Sequence, residues 1–220
     1  VQIRRGDLSQ KVILEQKETA FRGFSLSPSG KKAITVVSST GGLSYGRLAL
    51  LNSDGTGLKL IDFDRIPANF NWSPDERTLW FTAQSNGGNP VFKLDIASGK
   101  VSRITDFDSG IAQLNLLDSG EWIYAKTEVA NPNELYISNP DFTRQTRLTD
   151  LNYHWVKDRK LSFPEKKIYK NSAGQDIEFW VMKPVNMEAG KKYPLVLQLH
   201  GGPTAMWGPG EGSMWHEFQY

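Results

Sequence analysis

Short apolar segments alternate with polar turns along most of the chain, and they do so at a regular spacing. One pattern, a polar turn followed by a short apolar segment, occurs three times. Alternation of this length and composition predicts β-strands, and these fall at Ala33–Val37, Leu79–Ala83 and Ile123–Thr127. The equivalent turn residues, Gly30, Glu76 and Gly120, are 46 and 44 residues apart.

A second marker repeats in step with the first. Each copy consists of a strand, a turn and another strand, and the copies lie at Leu48–Ile61, Val91–Ile104 and Glu134–Leu148. Their turns contain Asp, Asn, Ser, Gly and Pro, which favour tight turns. Two independent markers with one period of about 44 residues predict the four-stranded blades of a β-propeller. A helical array would need apolar residues at a spacing of about 3.6, which this part of the chain lacks.

The first twenty residues match only part of this repeat. Gly6–Leu14 resembles the second half of a blade, so the chain is predicted to hold three whole blades and the tail of a fourth. Propellers usually need at least four blades to close. Because the chain also begins at Val1 without a starting Met or a signal-peptide pattern, we expect an internal fragment, completed by the remainder of the same protein or by a second copy.

A different pattern follows the third blade. Alternating apolar residues beside a turn at Asn171–Gln175 predict a hairpin over Ile168–Lys183. Near the end of the chain, Ser213 is a candidate N-cap for apolar residues at helical spacing behind it. We therefore expect two domains, with residues 1–160 forming the C-terminal part of a β-propeller and residues 161–220 forming the N-terminal part of another domain.

The second domain contains the stretch with the clearest chemistry, Tyr193–Pro203. Its apolar run Leu195–Leu199, broken only by Gln198, is typical of a strand buried on both faces of a parallel sheet. Gly201 and Gly202 come directly after, and adjacent glycines let the backbone turn sharply and present its N–H groups. Such groups can hold the negative oxygen of a tetrahedral acyl-transfer intermediate. A strand running into an HGGG-type loop is the oxyanion loop of α/β-hydrolases; the alternative is a glycine-rich turn without chemistry.

Gly42–Gly46 also matches the G-x-S-x-G pattern of a hydrolase nucleophile, with Ser44 at its centre. That motif requires a strand before the serine and a helix after it. The segment after Ser44 is short, ends in a turn and belongs to the repeat. The match also precedes the candidate oxyanion loop instead of following it. Ser44 is therefore predicted to be a serine of a blade loop.

Composition and charge narrow the function classes. The net charge of +2 implies neither a nucleic acid nor a membrane surface as a partner, and no run of about 18 apolar residues exists. The absence of cysteine excludes disulfides, thiolate metal sites and a cysteine nucleophile. The histidines show no metal-ligand spacing, so no metal or cofactor is expected; they are His154, His200 and His216. Cytoplasm and periplasm both stay open as compartments.

The blades with S-P-D-G-like turns, the hairpin and the stretch YPLVLQLHGGP together resemble the prolyl oligopeptidase family of serine peptidases. HGGP followed by Met206-Trp207-Gly208 and Met214–Gln219 is most similar to the acylaminoacyl-peptidase and dipeptidyl-aminopeptidase branch. The resemblance implies a mostly β fold. It consists of a partial β-propeller of about three and a half four-stranded blades, followed by the N-terminal strands of an α/β-hydrolase domain.

The same resemblance implies roles for individual residues. Gly201 and Gly202 would lie in the oxyanion loop, and His200 would support that loop without acting as the general base. The nucleophile, the acid and the base of the family's catalytic triad are expected beyond Tyr220. This chain alone is therefore expected to be inactive.

The implied activity is that of a serine peptidase acting on short peptides, from which it releases dipeptides or acylated or free amino acids. The propeller would gate access to the active site. The alternative is a non-catalytic TolB-like propeller that binds a protein or peptide, and the HGGP stretch discriminates against it. An esterase or lipase would keep the hydrolase part but leave the propeller unexplained.

Overall fold

The computed structural model of the chain describes residues 2–3, 6–42, 44–199, 201–202 and 205–211. The strands within these residues are β1 Gln2–Ile3, β2 Gln10–Lys11, β3 Thr19–Leu26, β4 Lys32–Ser39, β5 Arg47–Asn52, β6 Lys59–Leu60, β7 Pro67–Trp72, β8 Thr78–Ala83, β9 Val91–Asp95, β10 Val101–Arg103, β11 Ser109–Leu116, β12 Trp122–Glu128, β13 Asn131–Ser138, β14 Gln145–Arg147, β15 Glu165–Lys170 and β16 Asp176–Val181. The single helix of the described residues, α1, is one turn at Tyr153–Val156.

The strands form three four-stranded antiparallel sheets in which sequence neighbours pair. These sheets are the first blade (β3 to β6), the second blade (β7 to β10) and the third blade (β11 to β14). β1 pairs with β2 and β15 pairs with β16, each as a separate hairpin. The predicted mostly β fold with repeated four-stranded blades is confirmed, and so is the predicted hairpin with its turn at Asn171–Gln175.

The sequence repeat is visible in the backbone as well. The first strand of each blade is interrupted by a β-bulge. Each bulge contains one residue in the left-handed region, with φ of 62°, 53° and 49° at Gly23, Asn69 and Gln113. A second left-handed residue lies in the turn that follows, at Gly30, Glu76 and Gly120. Glycine adopts this conformation without strain, whereas for glutamate and glutamine it is energetically unfavourable.

The chain divides into two compact units. Unit 1 consists of Val1–Gln84 and Val91–Thr105, and unit 2 consists of Ser85–Pro90 and Asp106–Tyr220. The loop Ser85–Pro90 belongs to unit 2 because it pairs with the start of β11, where Asn89 N donates to the Ser109 carbonyl at 3.0 Å. The domain boundary expected near residue 160 stays a prediction.

Unit 1 has an apolar core to which its two blades both contribute. The fully buried members of its main cluster are Ile34, Leu48, Leu79, Phe81 and Leu94. Phe63 packs edge-on against Phe81 and Phe92, with ring centroids 5.1 and 5.0 Å apart. Burying one such side chain contributes about 1.5–3 kcal/mol, so this cluster is a main source of stability for unit 1.

The core of unit 2 is built around two aromatic residues of β12. Trp122 is fully buried, stacks on Phe142 at 5.5 Å and donates from its Nε1 to the Pro140 carbonyl at 3.2 Å. Tyr124 is also buried, and its hydroxyl donates to Gln145 Oε1 at 3.0 Å. Burial raises the pKa of Tyr124 to about 12.

The strand predicted at Leu195–Leu199 is not formed, which corrects the expectation from sequence. The structure assigns no strand to this segment, and its apolar residues are 76–91% exposed. The physical reason is that a strand of a parallel sheet is stabilised by neighbouring parallel strands and by helices on both faces. The described residues supply no such strands or helices for this segment. The helix expected after Ser213 lies outside the described residues.

Candidate active-site loop

The two glycines predicted to form the oxyanion loop are both described and exposed. Gly202 has a φ of 78°, a left-handed conformation that favours glycine. The Ala205 N–H donates to the Gly202 carbonyl at 2.6 Å, which closes a tight turn. The left-handed φ of Gly202 is compatible with the sharp turn expected at Gly201–Gly202, and the role of the two glycines stays a prediction. His200, the predicted supporting residue, lies outside the described residues.

The segment that follows this turn is anchored within unit 2. The Gly210 N–H donates to the Gly87 carbonyl at 2.8 Å, and the Gly87 N–H donates to Met206 Sδ at 3.2 Å. A further turn is closed by the Glu211 N–H, which donates to the Gly208 carbonyl at 3.0 Å. The chain directly after the candidate oxyanion loop is thus tied to the loop Ser85–Pro90.

The anchored segment also forms one wall of a cavity of about 340 Å³ in unit 2. Aromatic rings, prolines and a few polar groups line it: Asn86, Phe107, Asp108, Pro164, Lys166, Trp180 and Pro209. The Lys166 ammonium pairs with Glu178 at 2.7 Å. The volume is at the lower end of the range for ligand pockets. Sequence reasoning missed this cavity because its lining comes from segments that are far apart along the chain.

A buried carboxylate fixes the exit from the third blade. Glu134 is 1% exposed and accepts four hydrogen bonds. They come from Thr149 Oγ1 and from the backbone N–H groups of Leu151, Asn152 and Tyr153, the last three at 3.0, 2.6 and 3.1 Å. Burial alone would raise the pKa of the Glu134 carboxyl, but the hydrogen bonds outweigh burial and lower the pKa to about 2. Sequence reasoning missed Glu134 because a glutamate is almost never fully buried.

The other candidate residues have local structural contacts. Ser44 lies after β4, where the Ser39 N–H donates to its Oγ at 2.9 Å, as expected for a serine of a blade loop. The Nδ1 atom of His154 lies 3.0 Å from the Asp150 carbonyl oxygen, and the side chain is exposed. His216 lies outside the described residues. Within the part of the chain that the structure describes, no three His, Asp or Glu side chains are arranged to hold a metal ion, and no helix has the length and hydropathy to cross a membrane.

The chain is similar in sequence to curated peptidases. It is 31% identical to the uncharacterized peptidase YuxL of Bacillus subtilis over 149 residues, which cover 67% of this chain and 22% of that protein. It is 28% identical to dipeptidyl-peptidase 5 of Aspergillus fumigatus over 159 residues, which cover 70% of this chain and 22% of that protein. The chain thus spans 22% of the length of these relatives. No protein-family profile matches it.

Solved structures show the same architecture. The acylaminoacyl peptidase of Pyrococcus horikoshii superposes with a TM-score of 0.63 at 23% identity, over 84% of this chain and 29% of that one. A TolB-type protein of Agrobacterium tumefaciens superposes with a TM-score of 0.54 at 17% identity, over 83% of this chain and 62% of that one. At these identities the likeness shows the fold alone, a mostly β chain of propeller type.

Peptidase relatives and propeller-type neighbours together confirm the resemblance found in the sequence. The chain is similar to a portion of such peptidases, and the family that it resembles is that of the prolyl oligopeptidases.

Proposed function

We propose that this chain is part of a serine peptidase that releases dipeptides or acylated or free amino acids from short peptides. One observation carries the proposal. In a chain whose relatives are peptidases, a tight turn with a left-handed glycine at Gly202 follows an apolar segment, at the position where an oxyanion loop belongs. The names of the similar proteins, a dipeptidyl-peptidase and an acylaminoacyl peptidase, support peptide substrates.

The proposed chemistry divides the work between this chain and the rest of the parent protein. A serine outside these residues adds to the scissile carbonyl while a histidine base takes its proton and later gives it to the leaving amine. The carbonyl oxygen becomes negative, and the Gly202 N–H and an N–H next to the serine stabilise it. His200 supports the loop. The 220-residue chain alone is inactive, because it cannot form the acyl-enzyme.

The proposed division of the chain follows the same logic. Residues 1–160 form the C-terminal part of the propeller, which limits access to short peptides. Residues 161–220 begin the hydrolase domain. The exposed apolar segment Leu195–Leu199 is a template for strand pairing, and we assign its partner strands to the remainder of the same enzyme or to a second copy.

The second candidate function is a non-catalytic propeller that binds a protein or peptide. The likeness to a TolB-type fold favours it, since this chain matches 62% of that protein. A binding propeller, however, gives no reason for a two-glycine turn after an exposed apolar segment. The two functions differ in whether the parent protein turns over a peptide substrate.

The test is steady-state kinetics of the full-length protein on aminoacyl and dipeptidyl chromogenic substrates, comparing Gly202→Pro with Gly190→Pro. Both glycines are exposed and left-handed, with φ of 78° and 79°, so proline imposes a similar backbone cost at each. Only Gly202→Pro removes the proposed oxyanion donor, which should lower kcat by about 10²–10³-fold.

The possible results of that comparison lead to different conclusions about Gly202 and about the function. Turnover that is lost in Gly202→Pro and kept in Gly190→Pro supports the assignment. Equal kcat in the two variants refutes the role of Gly202. A full-length protein that binds peptides but hydrolyses none would favour the binding propeller instead.

A further inference from the structure

Five buried glycines meet where the segment after the candidate oxyanion loop passes the loop Ser85–Pro90 and the start of β11. They are called the glycine seam here and are Gly87, Gly88, Gly110, Gly208 and Gly210. Four of them have no left-handed φ, so conformational freedom is not the reason for glycine at these four positions.

Glycine is required at these positions because there is no space for a side chain. A β-carbon on Gly210 would lie 2.5 Å from the Ser109 carbonyl carbon and 2.7 Å from Gly88 Cα. A β-carbon on Gly208 would lie 2.5 Å from the Gly87 carbonyl oxygen and 2.7 Å from its carbonyl carbon. These are backbone atoms, which cannot rotate away as the end of a flexible side chain can. The two backbones therefore touch directly, and any side chain at Gly208 or Gly210 would separate them.

Hydrogen bonds lock this contact in one register. Gly87 both accepts from the Gly210 N–H at 2.8 Å and donates to Met206 Sδ at 3.2 Å. The loop is held in turn by β11, because Asn89 Nδ2 donates to the Ile111 carbonyl at 2.7 Å. The segment is thus fastened at both ends to a loop that is itself fixed.

We propose that Gly208 and Gly210 are positioning residues for the oxyanion loop. Ala205, which directly precedes Met206, donates its N–H to the Gly202 carbonyl at 2.6 Å, so a displacement of the seam is passed to Gly202. Misplacing a catalytic group by about 1 Å can cost about 100-fold in rate. The inference rests on the proposed function, because it gives the seam the task of holding that loop.

The experiment uses the full-length protein and the variants Gly208→Ala and Gly210→Ala. The control is Gly41→Ala, since Gly41 has ordinary φ and the nearest atom to a new β-carbon there is 3.8 Å away. In both seam variants, we expect kcat to be lowered by about 10–100-fold and KM to stay within about twofold of wild type for the same dipeptidyl chromogenic substrate. The control should have unchanged kinetics. A purely structural role would lower the folded fraction and leave kcat per folded molecule intact.

Hydrogen exchange gives a second readout that does not depend on turnover. The Gly210 amide should be protected in the wild type and should exchange at least about tenfold faster in Gly208→Ala, while the amides of the β8 core stay protected. If the alanine variants do not fold, Met206→Leu keeps the side-chain volume and removes the sulfur acceptor, and its kcat should fall by about three- to tenfold.

The outcomes separate failure of this inference from failure of the proposed function. If Gly202→Pro abolishes turnover but the seam variants and Met206→Leu keep wild-type kcat, the seam does not position the loop and the inference is wrong. If Gly202→Pro is fully active, the oxyanion assignment fails and the inference falls with it, even where the Gly210 amide is protected. An unprotected Gly210 amide in the wild type would refute the seam itself.

Discussion

Replacing Glu134 by Gln should loosen the exit from the third blade. The carboxylate is 1% exposed and collects four hydrogen bonds from the turn that leads into α1. Gln removes the negative charge and puts an amide group opposite backbone N–H donors, one of which loses its acceptor. Leaving a buried donor unsatisfied is costly, so the variant should be less stable at neutral pH.

The magnitude follows from the pKa. Lowering the pKa of Glu134 from 4.5 to about 2 corresponds to at most about 3 kcal/mol, because one pKa unit is worth about 1.36 kcal/mol. The donating residues Leu151 and Tyr153 are 67% and 38% exposed, and solvent screening weakens such interactions. We therefore expect a loss of about 2 kcal/mol in the free energy of unfolding.

The pH dependence has a definite sign. Because the folded-state pKa lies below the unfolded value, the stabilisation is fully present above about pH 5 and is lost as the pH falls towards 2. The difference between wild type and Glu134→Gln should thus shrink by about half between pH 6 and pH 3.

The assay is urea unfolding of the 220-residue chain, followed by tryptophan fluorescence at several pH values. Glu15→Gln, at an exposed position, is the control and should follow the wild type throughout. A Glu134→Gln variant as stable as wild type at pH 7, or a stability difference that grows as the pH falls, would refute the reasoning.

Four further predictions concern other parts of the chain. Gln113→Gly should stabilise the chain by about 0.5–1 kcal/mol in urea unfolding, because Gln113 has a φ of 49°; Gln113→Val should destabilise it. Trp122→Ala should cost about 3–5 kcal/mol in the same assay, since Trp122 is fully buried. The 220-residue chain should hydrolyse no aminoacyl chromogenic substrate above background, and Ser44→Ala should change nothing. Amides of Leu195–Leu199 should exchange rapidly in the isolated chain and slowly in the full-length protein, as judged by mass spectrometry.

The sequence predicted the blades well because their signal is local. Each strand and turn is encoded by a few adjacent residues, and the equivalent positions of Gly30, Glu76 and Gly120 reappear as left-handed residues in the structure. The same holds for the hairpin of β15 and β16, whose turn residues lie next to one another. The left-handed φ of Gly202 likewise agrees with the glycine pair found in the sequence.

What the sequence did not reveal depends on residues that are distant along the chain. The buried role of Glu134 requires the turn that follows β14, and the glycine seam requires Gly208 to meet Gly87. The strand predicted at Leu195–Leu199 is absent for the same reason. Apolar character can be read from adjacent residues, but strand pairing depends on partners elsewhere. From the sequence, the adjacent Gly87 and Gly88 indicate only a tight turn, and the structure has one there, with Asn86 and Gly87 at its centre and φ of 52° and 88°.

The most direct test of the proposed peptidase function is labelling of the full-length protein with a fluorophosphonate, followed by mass spectrometry of the modified peptide. A serine peptidase reacts at its activated serine. We predict a single label on a serine outside these 220 residues, within a G-x-S-x-G sequence that follows the candidate oxyanion loop, and loss of that label in Gly202→Pro but not in Gly190→Pro. A label on Ser44, or a folded full-length protein that takes no label, would contradict the account.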